Sequence, residues 1–256
     1  MIHAPSVRAG FARAVALAAG AAALATPAAA ECRNAPAPKV NWAGCSKTSL
    51  LLGRSDLAEA VMTKAMLTST TLDGATLKGA KMAEAELSFV RLENADLSGA
   101  ELSRAIGWRT SFKGANLSHA IFDMAQMSRA NFAQAKLAGA SFVKSEVNRS
   151  DFEGADLTGA VMSRAEMARV HLTRAVLDRV DFRYSNLSRA RFDGAQLGGA
   201  QFSGAYLYRT QFGGADLSNA TGLVQAQVEV SCGTERTKLP AGIAVPKHWP
   251  CSTEDD

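Results

Sequence analysis

The chain repeats itself every five residues, a period that neither an α-helix nor a β-strand can supply. From Leu52 to Leu217 every fifth residue is Leu, Phe, Met or Val, and of 34 such positions only Gly107 departs. A helix brings a side chain back to one face about every 3.6 residues and a strand every 2. A period of five therefore requires the backbone to turn a corner once per repeat, and four corners close a square coil of twenty residues.

Two residues before each large residue stands a small one, usually Ala and otherwise Ser, Thr or Val, as in Ala95-Asp96-Leu97-Ser98-Gly99. The large and the small residue face inward. The other three positions face solvent, where Asp, Asn, Arg, Ser and Gly collect. Residues twenty apart fall in columns: Leu57 to Leu217 at that interval is an unbroken leucine stack, and a neighbouring column passes from Leu92 to Phe112, Phe132 and Phe152. Coils stacked at a strand-like spacing of about 4.8 Å give eight to nine turns and a rod on the order of 40 Å long. Each buried large side chain contributes roughly 1.5–3 kcal/mol, ample for a solenoid stabilised neighbour by neighbour.

The A-(D/N)-L-x-x pattern of Ala95-Asp96-Leu97, Ala115-Asn116-Leu117, Ala155-Asp156-Leu157 and Ala215-Asp216-Leu217 resembles the pentapeptide-repeat family. The resemblance implies an all-β fold, a right-handed quadrilateral β-helix. The tail from Thr221, with Leu223 to Val230, Cys232-Gly233 and Leu239-Pro240, is similar to the C-terminal tails of exported members.

Arg8 and Arg13 precede an apolar run from Ala14 to Ala25 that ends in Pro27-Ala28-Ala29-Ala30, the layout of a secretory signal peptide. The run is shorter than the roughly 20 residues needed to span a bilayer. Glu31 separates Ala30 from Cys32, which argues against a lipid anchor. The expected organisation is a signal peptide over 1–30, an N-terminal cap over 31–49, the solenoid over 50–220, and a C-terminal cap and tail over 221–256. The mature protein is expected in the periplasm or outside the cell, with no membrane insertion after cleavage.

Cysteine usage fits an oxidising compartment, since Cys32, Cys45, Cys232 and Cys251 flank the repeats and none lies within them. Bridged Cα atoms must lie within about 7 Å, and the length of the rod separates its ends. Cys32 is therefore expected to pair with Cys45, and Cys232 with Cys251, stapling caps over the open ends of the stack. Val40, Trp42 and Cys45 already fall in phase, so the first coil is expected to begin near Val40 with Trp42 closing the core. At the other end, Val228 and its apolar neighbours suit a short helix or final turn, and the tail with Trp249 is expected to pack over it.

Catalysis needs positioned groups in a concave site, and a rod with a filled interior offers few. His119 and His171 fall on solvent-facing positions of different columns, and His248 lies in the tail. No metal-ligand spacing and no phosphate loop occurs, so the chain is expected to be no enzyme, with no cofactor and no metal.

One constellation rises above the repeat. Read at twenty-residue intervals, the last residue of the pentapeptide is Arg109, Arg129, Arg149, Arg169, Arg189 and Arg209. Glu146, Glu166 and Asp151 are placed to neutralise part of this ladder, which would make it a solvated, duplicated corner. Left free, it is a cationic strip for an acidic polysaccharide or an acidic protein face, because guanidinium forks bind carboxylate and phosphate bidentately. Trp108, Tyr206 and Tyr208 lie on the same face at its two ends and suit stacking. Gly107, the gap in the core, falls there too, with Trp108 placed to fold over the notch.

Once the leader is removed, 26 basic residues face 24 acidic ones, a formal charge of +2. Bulk charge therefore points to no partner, and nucleic acid is disfavoured. The alternative function implied by the resemblance is DNA mimicry toward gyrase, found in some cytosolic members. It calls for an acidic surface, whereas residues 50–220 carry 20 basic and 18 acidic groups.

Overall fold

A computed structural model describes residue 1 and residues 31–251 of the chain; the expected signal peptide lies outside these residues. The coil is built from single-residue parallel bridges, each joining a residue to the one twenty further on. They run from Asn41↔Val61 through Gln201↔Thr221 without a slip. Each side of the coil contributes one bridging residue, one large core residue, two turn residues and one small inward residue.

The turn explains the period. In each corner the N–H of the small residue donates to the carbonyl of the core residue three positions earlier, as in Ala60 to Leu57 at 3.0 Å and Ala100 to Leu97 at 3.0 Å. The residue before the small one has positive φ, the third-position signature of a type II turn. Backbone pairing between rungs then runs both ways. Leu57 N–H donates to Thr76 O at 2.7 Å, and Thr76 N–H donates to Ser55 O at 3.0 Å.

The core is one continuous cluster from Val40 to Ala220. Its aromatic section reports the rung height: Phe112 and Phe132 stack at 4.9 Å, Phe122 and Phe142 at 4.6 Å, and Phe132 and Phe152 at 4.6 Å, while the two columns meet edge to face at 5.7–6.1 Å. Offset and edge-on ring contacts of this kind add about 0.5–1.5 kcal/mol each beyond burial. Among the described residues no buried side-chain polar atom lacks a partner.

The N-terminal end closes on Trp42, which is fully buried and donates from Nε1 to Asn34 O at 3.3 Å. Lys47 holds the next core position. Its ammonium lies 4.0 Å from the centre of the Trp42 ring, and burial lowers its pKa. The Cys32–Cys45 disulfide ties this turn down, with Cα atoms 5.4 Å apart.

At the other end the register gives way. The last bridges, Gln211↔Cys232 and Asp216↔Lys238, have one and two extra residues, the first where a short helix interrupts the coil and the second between Cys232 and Lys238. This helix, α1 (Gln225–Val228), buries Val228 over the core. Gln227 Nε2 donates to Phe202 O and Ala205 O at 2.9 and 2.8 Å; Phe202 O also accepts the Ala205 N–H of its own turn, and Ala205 O is the carbonyl that a further rung would have paired. The tail folds back so that Trp249 Nε1 donates to Ser231 O at 2.8 Å, and Cys232–Cys251 holds it there. Trp249 lies against Gly233, where an added Cβ would come within 2.2 Å of the indole.

Candidate functional site

The arginine ladder is a real column. Parallel bridges join Glu86, Ile106, Gln126, Glu146, Glu166, Asn186 and Tyr206 in sequence, so the turns that follow them stack rung on rung. The six arginines therefore line one corner over five rung intervals, about 24 Å at strand spacing.

Their backbone makes the composition of this corner unusual. All six have φ between 55° and 60°, in the left-handed region. Among the described residues glycine takes this turn position twelve times on the other three faces, from Gly44 to Gly214, and never on this one. A non-glycine residue there costs about 1–2 kcal/mol relative to its relaxed state, so local backbone preference does not select arginine.

The neutralisation expected from Glu146, Glu166 and Asp151 does not occur. Among the described residues none of the ion pairs involves Arg109, Arg129, Arg149, Arg169 or Arg189, although other faces hold pairs such as Lys39–Glu59, Lys64–Glu84 and Arg183–Asp181. Glu166 instead accepts from Asn186 Nδ2 at 2.8 Å, and the Asp151 carboxylate accepts the Glu153 N–H at 2.9 Å. The carboxylates sit on the bridging column and the arginines on the turn column, and no ion pair joins the two among the described residues. Arg109, Arg129, Arg149 and Arg169 are exposed, and Arg189 and Arg209 partly so. Adjacent charges at the rung spacing repel by roughly 0.9 kcal/mol even in water.

The two ends of the ladder carry aromatics. At the first, the Arg109 guanidinium lies 4.4 Å from the Trp108 ring centre, and Trp108 meets Phe89 edge-on at 4.9 Å. At the last, Tyr206 and Tyr208 stack at 6.2 Å, with Arg209 lying 5.6 Å from the Tyr208 ring. Between them the residue preceding each arginine is small or polar: Ser128, Asn148, Ala168 and Ser188. Phe89 escaped the sequence reading, although it is the residue directly below Arg109 in the same column.

The corner is also stitched from inside. Thr110, Ser150 and Thr210, on its small inward column, donate their hydroxyls to Leu87 O, Met127 O and Leu187 O on the rung below, each at 2.8 Å. These bonds fix the turns from which the arginines project.

Gly107 leaves no notch. Met127, from the next rung, fills the space: a Cβ on Gly107 would lie 2.2 Å from its Sδ. Trp108 consequently stays on the surface, 39% exposed, rather than folding inward. His119 sits against Gly139, and His248 Nε2 lies 3.0 Å from Ser231 O, the residue after Val230, whose carbonyl accepts the Arg209 N–H at the end of the ladder. Among the described residues no group of three or more His, Cys, Asp or Glu is placed to hold a metal ion, and no helix is long and apolar enough to cross a membrane.

The model for pentapeptide repeats (8 copies) matches residues 51–83, 85–123, 110–149 and 125–164, and that for the pentapeptide repeat region matches 145–221. Among solved structures the chain is similar to HetL, a pentapeptide repeat protein involved in heterocyst differentiation regulation from the cyanobacterium Nostoc sp. strain PCC 7120. Identity is 25% over 78% of this chain and 89% of that one, with a TM-score of 0.48. It is also similar to trypsin-treated QnrB1, a plasmid-mediated fluoroquinolone resistance protein, at 22% identity over 65% and 91% of the two chains and a TM-score of 0.36. A pentapeptide repeat protein from the Arabidopsis thaliana thylakoid lumen matches at 25% identity over 51% and 82%, with a TM-score of 0.30. At TM-scores below 0.5 these likenesses transfer neither partner nor activity. No curated protein matches the chain.

Proposed function

We propose, from the premise that this chain belongs to the pentapeptide-repeat family, that its right-handed β-helix of eight to nine coils is a non-catalytic binding module of the bacterial cell envelope. Its working surface is the arginine corner, which engages a linear anionic partner. The observation that carries this reading is the ladder itself: six consecutive rungs place arginine where glycine would be less strained, and among the described residues none of Arg109 to Arg189 is spent on an ion pair.

The rigid backbone fixes the spacing of the arginine Cα atoms, so the freedom lost on meeting carboxylate or phosphate is confined to the side chains, whose planar guanidinium limits the loss per hydrogen bond formed. Export supports the setting: the basic-then-apolar start of the chain reads as a signal peptide, and two disulfides close the caps. The positive strip is opposite in sign to the acidic surface that DNA mimicry requires.

The test is a titration of the oxidised protein against an acidic polysaccharide, single-stranded DNA, an acidic protein and a neutral glycan at two salt concentrations. A variant with Arg149, Arg169 and Arg189 changed to Gln is run beside it. Salt-sensitive binding of a polyanion that the variant loses supports the reading; identical behaviour of the two proteins refutes it.

A further inference from the structure

We infer that the side of the first coil carrying Leu51 is a joint for a second copy of this chain, paired edge to edge about a two-fold axis through that residue. The joint lies outside the arginine column, so it goes beyond the binding reading and is tested apart from it.

Two leucines break the rules of their columns only here. From Thr71 to Gln211 every residue of the bridging column above Leu51 is polar. From Thr70 to Thr210 the inward column above Leu50 holds Thr, Val, Ala or Ser and nothing larger. Leu50 and Leu51 stand at the foot of these columns, 37% and 87% exposed, and among the described residues Leu51 exceeds every large apolar side chain but Met1. The repeat does not demand them, since the next rung fills the same two positions with Thr70 and Thr71.

The backbone beneath them is open. Thr71 N–H donates to Leu50 O at 2.8 Å and Thr71 O accepts the Leu52 N–H at 2.7 Å, so a bridging residue turns both its backbone groups toward the rung below. Leu51 has no such rung, and among the described residues neither its N–H nor its carbonyl meets a partner. Two corners away, on the opposite side of the coil, the N-terminal cap does close the edge: Glu31 N–H donates to Asn41 O at 2.9 Å, and Cys32 is bonded to Cys45. The two sides between carry Ser46 and Asp56, polar and exposed, which keep an open edge solvated.

A free N–H and a free carbonyl on one residue are self-complementary, because in an antiparallel pair two such residues exchange both hydrogen bonds. A second copy brings this edge already ordered. An unrelated extended peptide would gain the same two bonds before the coil turns its corners, and would lose about 1–2 kcal/mol of backbone entropy for each residue it orders. That difference selects the second copy, and closed two-fold pairing is the commonest geometry of oligomers. The rods must splay for the caps to clear one another. Two leucines a side bury less than the roughly 1,000 Å² of a stable interface, so the dimer is weak and forms as concentration rises.

Sedimentation velocity of the oxidised protein over a concentration series is expected to show monomer passing into dimer, with no larger species. Leu51→Thr, which copies the next rung, should keep the melting temperature and weaken association at least about tenfold, since each copy loses a leucine from the joint. Under mild oxidation Leu51→Cys should give a disulfide-linked dimer, because the Cα atoms of a hydrogen-bonded antiparallel pair lie about 5.5 Å apart, within disulfide reach. Thr71→Cys, one rung up, should not. A protein that stays monomeric throughout, a dimer that Leu51→Thr leaves intact, open-ended assembly, or equal crosslinking from position 71 would overturn the joint.

Discussion

Met127 occupies the space that a side chain at Gly107 would need, its Sδ 2.2 Å from where a Cβ would stand. The single break in the hydrophobic period is therefore a packing exchange between two rungs: one gives up its core residue and the next overfills its own. Met suits the role because its unbranched thioether adapts to irregular gaps. Truncating Met127 to Ala should open a void and destabilise the rod by about 2–5 kcal/mol. Gly107→Leu alone should also destabilise, by overpacking. The double variant should recover part of both losses, a coupling that urea midpoints in a double-mutant cycle would measure. Additive losses would show that the two residues do not share one space.

The C-terminal cap has a charge latch with a defined pH window. Lys238 Nζ donates to Asp216 Oδ2 at 2.8 Å, and Ser218 donates to the same carboxylate through its N–H and hydroxyl, so the Asp216 pKa is lowered to about 2 and that of Lys238 is raised. A depressed carboxylate contributes stability above its ordinary value near 4, and loses it as the pH falls through about 2. A raised lysine contributes below its ordinary value and loses its share as the pH rises through the raised one. Asp216→Asn should thus speed amide exchange around Lys238 at pH 7, with a difference that shrinks as the pH falls through about 2. The effect is small because both groups face solvent.

The second disulfide closes a loop of 19 residues over the helical cap, and loss of such a link costs about 3 kcal/mol in chain entropy. With Cys232 and Cys251 changed to Ser, the tail should lift from Gly233 and expose Trp249. Fluorescence in a Trp108→Phe background should shift to the red, with Trp42, buried at the far end, serving as an internal reference. The Phe112–Phe132–Phe152 stack, several rungs away, should keep its near-ultraviolet dichroism, because a solenoid couples chiefly nearest neighbours.

Much of this architecture was legible in the sequence because one rule generates it. Period five required a corner in every repeat, and the twenty-residue columns followed, including the leucine stack and the aligned arginines. The cysteine pairs followed from the length of the rod. What escaped depends on side-chain direction within a rung. Periodicity marks Gly107 as a gap without saying which neighbour fills it, and Trp108 was the nearer residue in sequence but pointed outward. Charge counting placed Glu146 and Glu166 beside the arginines. Only the structure shows that the bridging column and the left-handed turn column do not pair, with Glu166 bonded instead to Asn186. The register shift at Gln211↔Cys232 was equally hidden, since α1 inserts its extra residue outside the repeat.

The strain in the ladder allows stability and binding to be separated. Arg149, Arg169 and Arg189 hold φ of 57–60°, which glycine adopts freely. Replacing each by Gly removes the steric cost of about 1–2 kcal/mol in the left-handed region, together with part of the charge repulsion. Against this, glycine loses roughly 0.5–1 kcal/mol more backbone entropy on folding than other residues. The net expectation is a gain of up to about 1.5 kcal/mol per site, so the triple glycine variant should melt at or above the parent temperature. The same variant should bind polyanions at least about tenfold more weakly, with a shallower dependence on salt because fewer ions are exchanged. Calorimetry and a salt-series titration on the two proteins would measure both effects. A protein that melts higher and binds less is what a ladder retained for its ligand predicts, and one that melts lower would mean that the arginines hold the rod together.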